Sequence, residues 1–191
     1  MENSIKPISI KPISIKPISI KSNAINYGLY LGGALSVYTI LCYGINIELI
    51  VNFWIALLVI PIVVVSVGII STAKSKSINQ GFLSYRQAFS SYFITIAVAL
   101  IIHTLINIII FNYIDPDASI RIKEIIIDKT ISFMEKFNTP AEAMSEAIEK
   151  IKNQDTFSFA SQLRALAQSL ATFSIIGLLV AALMKKNKEE I

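Results

Sequence analysis

The stretch that most constrains this chain is a run of 28 uncharged residues, Gln87 to Ile114, bounded by Arg86 and Asp115. The hydrocarbon core of a bilayer is roughly 30 Å thick, and about 20 apolar residues in an α-helix cross it. The run is therefore long enough to span a membrane with some tilt. Short basic segments lie on the Arg86 side and a long, net acidic segment follows Asp115. The sequence thus predicts a membrane span whose two ends face different surroundings.

Three further uncharged runs occur, Ser22 to Ile47 (26 residues), Leu49 to Ala73 (25) and Ala165 to Met184 (20). All are continuously apolar, whereas the strands of a membrane β-barrel are about 10 residues long and alternate. Only 16% of the chain is charged, against roughly 25% in soluble proteins. We expect an all-α membrane protein with four transmembrane helices in two hairpins. The expected spans are about 24–46, 50–72, 88–114 and 160–184.

The basic residues predict the orientation of the chain in the membrane. Ten Lys and Arg residues lie in three segments, the N-terminal arm, the loop 74–86 and the tail 185–191. The connection 44–48 has none, and the segment 115–156 has six basic and nine acidic residues. Basic segments tend to stay cytoplasmic. We therefore expect a multi-pass protein of the cytoplasmic membrane with both termini inside and 115–156 outside.

The N-terminal segment 1–22 consists largely of the repeat IKPIS, with prolines at positions 7, 12 and 17. Each proline removes a backbone donor and disfavours helix at the preceding residue. We expect a disordered basic tail here, followed by a transmembrane domain over 23–186 and a cytoplasmic tail over 187–191. The lysines of the repeat either lie on anionic lipid or only fix orientation.

The segment 115–156 has the pattern of two amphipathic helices. Asp115 and Pro116 are a cap and a first helical residue. Apolar positions then recur on one side up to Phe137, and Thr139 with Glu142 matches a capping box that opens a second helix. We expect a helical hairpin between spans three and four. Its apolar sides could meet each other, a protein partner or the bilayer interface.

Polar residues inside the spans are the candidate functional residues. His103, the only histidine, lies in the third span beside Thr104, and Asn107 is one helical turn further on. Polar groups in a bilayer mark either a functional site or a hydrogen bond between helices. Pro61 in the second span predicts a kink, which occurs in transporters and in purely structural helices.

Small residues in the first span indicate close helix packing. Gly28, Gly32 and Ser36 recur every fourth residue, which places them on one side of the helix. Such a surface lets another helix approach, either within one chain or in a homo-oligomer.

The composition argues against several classes of function. Apart from Arg164 at the outer end of the fourth span, the expected spans contain no Asp, Glu, Lys or Arg, and a single histidine excludes the metalloprotease motif H-E-x-x-H. No Cys or His spacing matches a metal site, and no glycine-rich loop follows a strand. The lysines are dispersed instead of forming the basic surface that nucleic acid requires. We expect no enzyme activity, no cofactor and no nucleic-acid partner.

The order of the segments resembles a known family. The loop GFLSYRQAF supplies Gly81, Phe82, Ser84, Ala88 and Phe89, and the corner after the third span reads YIDP, positions 113–116. Over about residues 24–186 the chain resembles the domain-of-unknown-function family 4199, small four-span membrane proteins of bacteria. The resemblance implies the four-span architecture and no activity.

Two functional classes remain open from the sequence. One is a noncatalytic accessory or interaction protein, whose partners are the bilayer and a membrane or extracytoplasmic protein. The other is a small transporter or channel with a polar site around His103 and Asn107. A continuous polar cavity through the helix bundle would favour the second class, and a tightly packed bundle the first.

Overall fold

The architecture comes from a computed structural model that describes residues 19–187. Over these residues the chain is helical, without a strand, and four helices are long and apolar enough to cross a membrane. Residues 1–18 and 188–191 lie outside the described part, as does most of the expected N-terminal tail. The α-helices are α1 (Ile20–Ile45), α2 (Ile60–Ile78), α3 (Tyr85–Ile109), α4 (Pro116–Lys136), α5 (Ala141–Asn153) and α6 (Phe159–Met184).

Two spans include π-helical turns. Ile55–Val59 precedes α2 and Ile110–Ile114 extends α3, so the second and third spans cover 24 and 30 residues. Pro61 follows the first of these turns and occupies the first turn of α2. Pro61 is the midpoint of the expected span 50–72, but it lies near the start of the observed span, which runs from Ile55 to Ile78. A π-helical turn before proline accommodates the missing backbone donor.

The first helix begins earlier than expected. Its N-cap is Ser19, whose hydroxyl accepts a hydrogen bond from the Ser22 N–H at 3.1 Å. Residues 20–22, expected to belong to a disordered tail, are therefore helical. A serine side chain at this position satisfies one of the free donors of the first turn.

Helix α3 is the centre of the bundle, and α1, α2 and α6 all pack on it. The glycines of α1 make the closest approach. A Cβ added at Gly28 would lie 2.7 Å from Val98 Cβ, and one added at Gly32 would lie 3.0 Å from the Ala99 carbonyl oxygen. The small-residue side of α1 therefore packs within the chain, against α3.

A tyrosine fills the middle of the bundle. The Tyr92 ring on α3 is fully buried, and a Cβ added at Gly68 on α2 or at Gly177 on α6 would lie 2.6 Å from it. Leu31, Val64 and other apolar side chains complete this cluster. The two glycines leave a slot for the aromatic ring, so the Tyr92 ring of α3 packs closely against both α2 and α6.

The two ends of the bundle differ, and we call them the loop end and the hairpin end. At the loop end, the α2–α3 loop meets the end of α6, where Leu83 and Lys186 exchange two backbone hydrogen bonds of 2.9 and 2.8 Å. The turn before Leu83 requires a positive φ of 84° at Gly81. Glycine adopts this conformation without steric cost.

At the hairpin end, α4 and α5 form the expected pair of helices. The Asp115 side chain caps α4 by accepting a hydrogen bond from the Ala118 N–H at 3.0 Å. The capping box expected of Thr139 and Glu142 is wrong, since the N-cap of α5 is Pro140 and no side chain caps it. Asn138 adopts a positive φ of 50°, and the next residue, Thr139, donates its backbone N–H to the Met134 carbonyl. This bond ends α4.

Candidate functional site

Two of the polar residues of the third span, His103 and Asn107, make hydrogen bonds within the bundle. His103 Nε2 lies 3.0 Å from Thr39 Oγ1 of α1, and the Asn107 side chain donates to the His103 carbonyl oxygen at 2.8 Å. At 1.5 Å per residue, His103 lies roughly 16 Å from the hairpin end of its span. The imidazole thus makes the kind of interhelical hydrogen bond that the sequence offered as its structural role.

A cavity of about 230 Å³ lies beside this histidine, between α3 and α6. Its lining combines five polar and three apolar side chains, namely His103, Thr104, Asn107, Gln162, Ser169, Leu100, Ala165 and Leu166. All three residues singled out in the third span therefore share one cavity. The polar lining contains hydroxyl, amide and imidazole groups, which can hydrogen-bond water or a small polar molecule.

The cavity does not continue to the loop end through the described bundle. Below Leu100, the residues between the helices are Ala99, Ile96 and Tyr92, each at most 1% exposed. Val180 of α6 joins the same apolar cluster. The cavity is thus a pocket in the hairpin half of the bundle, closed by a packed apolar layer.

A second polar cluster lies in the loop half, and the sequence analysis missed it. The Asn23 amide of α1 donates to the Ser71 carbonyl and to Ser75 Oγ, both at 3.0 Å. Ser75 in turn bonds Ser91 on α3 at 2.7 Å, and Ser71 bonds Thr95 at 2.7 Å. All five residues are buried. Serine and threonine repeated every fourth residue on α2 and α3 was the available signal.

This second cluster is saturated, which distinguishes it from the pocket. Each of its side chains has a partner on another helix or on its own backbone. Buried polar groups that satisfy one another stabilise a unique helix arrangement. We therefore assign the cluster to holding α1, α2 and α3 together, not to binding.

At the hairpin end, Asp115 joins three parts of the chain. Its carboxylate accepts from Tyr43 of α1 at 2.9 Å and from Arg121 of α4 at 2.7 Å. The hydrogen bond from Arg121 is the main cause that lowers the Asp115 pKa below its ordinary value, followed by that from Tyr43. The corner therefore holds α4 to the bundle with a charged carboxylate.

Two exposed aromatic pairs lie on either side of an apolar groove at the same end, Phe53 with Trp54 and Phe133 with Phe137, and we call these four residues the aromatic patch. Phe133 and Phe137 of α4 are 59% and 69% exposed, and their rings lie 4.8 Å apart. An apolar groove of about 490 Å³ separates the start of the second span from α4 and is lined by Phe53 and Phe133. Among residues 19–187 no group of three metal-ligating side chains comes together.

A family model described as "Protein of unknown function (DUF4199)" matches residues 26–186. The chain belongs to the DUF4199 family. No curated protein and no solved structure matches it. Family membership and the four apolar helices together make it a multi-pass membrane protein.

The loop that suggested the DUF4199 family has a structural role in this member. Ser84 and Gln87 form a reciprocal capping box at the start of α3. Phe82 lies under the Lys186 ammonium at 5.9 Å, and Ala88 is fully buried against α6. The DUF4199 loop residues therefore build the junction between α2, α3 and the end of α6.

Proposed function

We propose that this DUF4199 protein is a noncatalytic accessory protein of the cytoplasmic membrane that acts through its α4–α5 hairpin. The loop end, with both termini, would face the cytoplasm and the hairpin the outside. The distribution of basic residues supports this orientation, since the loop end carries Lys74, Lys76, Lys185 and Lys186.

The observation that carries the proposal is the aromatic patch. Phe133 and Phe137 lie on the part of α4 beyond its anchored first half, where Ala118 and Ile122 are fully buried on the bundle. The two rings pack on each other yet stay exposed. Exposed aromatic side chains grouped in this way are typical of interaction surfaces. The anchored half of α4 would hold this patch at a fixed position above the membrane.

The test is site-specific photocrosslinking in native membranes. A photoreactive amino acid replaces Phe133 in one variant and Glu135, an exposed residue of the same helix outside the patch, in the control. We expect the Phe133 variant to capture one protein in stoichiometric yield and the Glu135 variant to capture little of it. Capture of lipid alone at position 133 would contradict the proposal and assign the patch to the bilayer interface.

A second candidate function rests on the cavity beside His103. Its polar lining and its position within the spans would suit a small transporter or channel with a bound polar solute. Transport would then require the packed layer around Tyr92 and Ile96 to open. Purified protein in proteoliposomes should show solute or proton flux above empty vesicles, and well-folded His103→Asn should abolish it. Absence of flux in the wild type removes this candidate.

A further inference from the structure

Three side chains of the cavity beside His103 bond the protein with one polar atom and leave the other free. His103 Nε2 bonds Thr39, and the Asn107 amide nitrogen bonds the His103 carbonyl. The Gln162 amide nitrogen donates to the Phe157 carbonyl at 2.8 Å. Within the described residues 19–187, no hydrogen-bond partner remains for His103 Nδ1, Asn107 Oδ1 or Gln162 Oε1.

Two hydroxyl groups of the cavity are free as well. Thr104 Oγ1 and Ser169 Oγ bond no other group in the part of the chain that the structure describes. By contrast, Thr172 and Ser174 on α6 donate to carbonyl oxygens of their own helix at 3.0 and 2.6 Å. The cavity thus collects free polar atoms from α3 and α6.

These free atoms are accessible. Among the side chains of residues 19–187 that are not exposed, only the Tyr92 hydroxyl is a fully buried polar atom without a partner. The free atoms of the cavity therefore have open surface, although Gln162 as a whole is only 9% exposed. Polar atoms inside a membrane span are costly unless they are hydrogen-bonded. Their accumulation around one cavity indicates a molecule that occupies it.

The chemistry of the free atoms selects the class of this molecule. The amide oxygens of Asn107 and Gln162 only accept hydrogen bonds, whereas the hydroxyls of Thr104 and Ser169 donate and accept. A hydroxyl group on a ligand matches both kinds. The lining has no carboxylate, ammonium or guanidinium group to balance a charge, and an unbalanced charge within a span is expensive. The cavity is therefore suited to an uncharged molecule with several hydroxyl groups.

The cavity also limits the size of the ligand. Its volume is about 230 Å³. Since a cavity of about 150 Å³ holds the six carbons of benzene, this one holds roughly nine non-hydrogen atoms. Gln162 and Ser169 lie roughly 10 Å apart along α6, so the polar groups are spread along the ligand. Leu100 and Leu166 form an apolar wall for its C–H groups.

We propose that this cavity is a binding site for a small uncharged polyol. The hydroxyl groups of the polyol bond the two amide oxygens and the two hydroxyls of the lining. The His103 carbonyl positions Asn107, because it holds the amide nitrogen and leaves Oδ1 available. The inference rests on the cavity of the second candidate function and names the class of molecule bound there. Binding itself does not require the packed layer around Tyr92 to open.

Saturation-transfer nuclear magnetic resonance on the full chain in detergent micelles, purified without glycerol, measures binding directly. Erythritol is the probe, because it is an uncharged polyol of suitable size. We expect saturation transfer to erythritol at millimolar concentration, weaker transfer to butanediol, which has fewer hydroxyls, and none to the charged glycerol phosphate. If erythritol receives no saturation, water alone fills the cavity and the proposal is wrong. Equal transfer to glycerol phosphate would overturn the choice of an uncharged ligand.

Matched variants test whether the probe binds in the cavity. Thr104→Val and Ser169→Ala each remove one free hydroxyl and should raise the dissociation constant for erythritol on the order of fivefold. Thr172→Val and Ser174→Ala are the controls and should leave it unchanged, because their hydroxyls bond their own helix. Circular dichroism checks that all four variants fold. An equal effect of the control changes, or none of the first two, would place the binding elsewhere and contradict the proposal.

Erythritol flux into proteoliposomes, measured separately, distinguishes binding from transport. Binding without flux supports the polyol site and removes the second candidate function. Flux of protons or another solute without erythritol binding would keep that candidate and overturn the polyol site.

Discussion

Removing the Tyr92 hydroxyl should stabilise this protein. The ring of Tyr92 fits between Gly68 and Gly177 and is fully buried, yet its hydroxyl has no hydrogen-bond partner among the described residues. A tyrosine to phenylalanine change keeps the ring and removes only that oxygen. The packing of the slot is therefore preserved, and the buried polar group disappears.

The expected gain follows from the cost of an unsatisfied hydroxyl. Protein mutational data place that cost at about 1–3 kcal/mol. The lost oxygen also gives up a few dispersion contacts of about 0.1–0.2 kcal/mol each. We expect Tyr92→Phe to raise the free energy of unfolding by about 1 kcal/mol or more. Gly68→Ala should lower it by about 1–3 kcal/mol, because its Cβ would lie 2.6 Å from the ring.

Reversible unfolding in mixed micelles, with rising mole fraction of dodecyl sulfate, measures both changes by the same circular-dichroism signal. The Gly68→Ala variant is the control for the tightness of the slot. A Tyr92→Phe variant that loses about as much stability as one hydrogen bond contributes would refute the reasoning. The hydroxyl would then have a hydrogen-bond partner inside the folded bundle.

The remaining predictions use the same unfolding assay. His103→Leu should cost only about 0.6 kcal/mol if its bond to α1 is a typical interhelical one, whereas Asn23→Ala, which loses two buried bonds, should cost about 1–2 kcal/mol. Gly32→Leu should prevent α1 from packing on α3 and cost more than either, measured against a Gly33→Leu control with open space around it. The lowered Asp115 pKa contributes stability above the ordinary carboxyl pKa, and this stability is lost as the pH falls through the lower folded value. Asp115→Asn should therefore weaken the dependence of the unfolding free energy on pH below about pH 4. If this dependence stays as in the wild type, Asp115 does not contribute to acid unfolding.

Charge-free runs were enough to find the four helices, because a span must bury its backbone in an intrahelical hydrogen-bond ladder whatever its neighbours are. The cap at Asp115 and the small-residue side of α1 could be predicted equally well, since both depend on local spacing in the sequence. The cap at Thr139 could not. The expected capping box did not form, because the Thr139 N–H that it would use bonds the Met134 carbonyl at the end of α4. Only the geometry of the whole turn reveals this competition.

The candidate site was only partly predictable for a similar reason. His103, Thr104 and Asn107 stand out as polar residues in an apolar run, and they do line one cavity. Thr39, which bonds His103, and Gln162, which lines the same cavity, do not stand out, because helix pairing and rotation decide which polar groups meet. The saturated cluster around Asn23 was missed because serine and threonine are common in spans and need not face inward.

We propose that the four-span protein lies with its α4–α5 hairpin outside and its α2–α3 loop inside the cell. Accessibility of introduced cysteines in intact cells tests it most directly, in a Cys42→Ala background that removes the native thiol. Ser145→Cys on α5 should react with a membrane-impermeant maleimide, whereas Ser77→Cys and Asn187→Cys at the loop end should react only after the cells are permeabilised. Reaction of position 77 in intact cells, with position 145 protected, would invert the orientation and contradict the account.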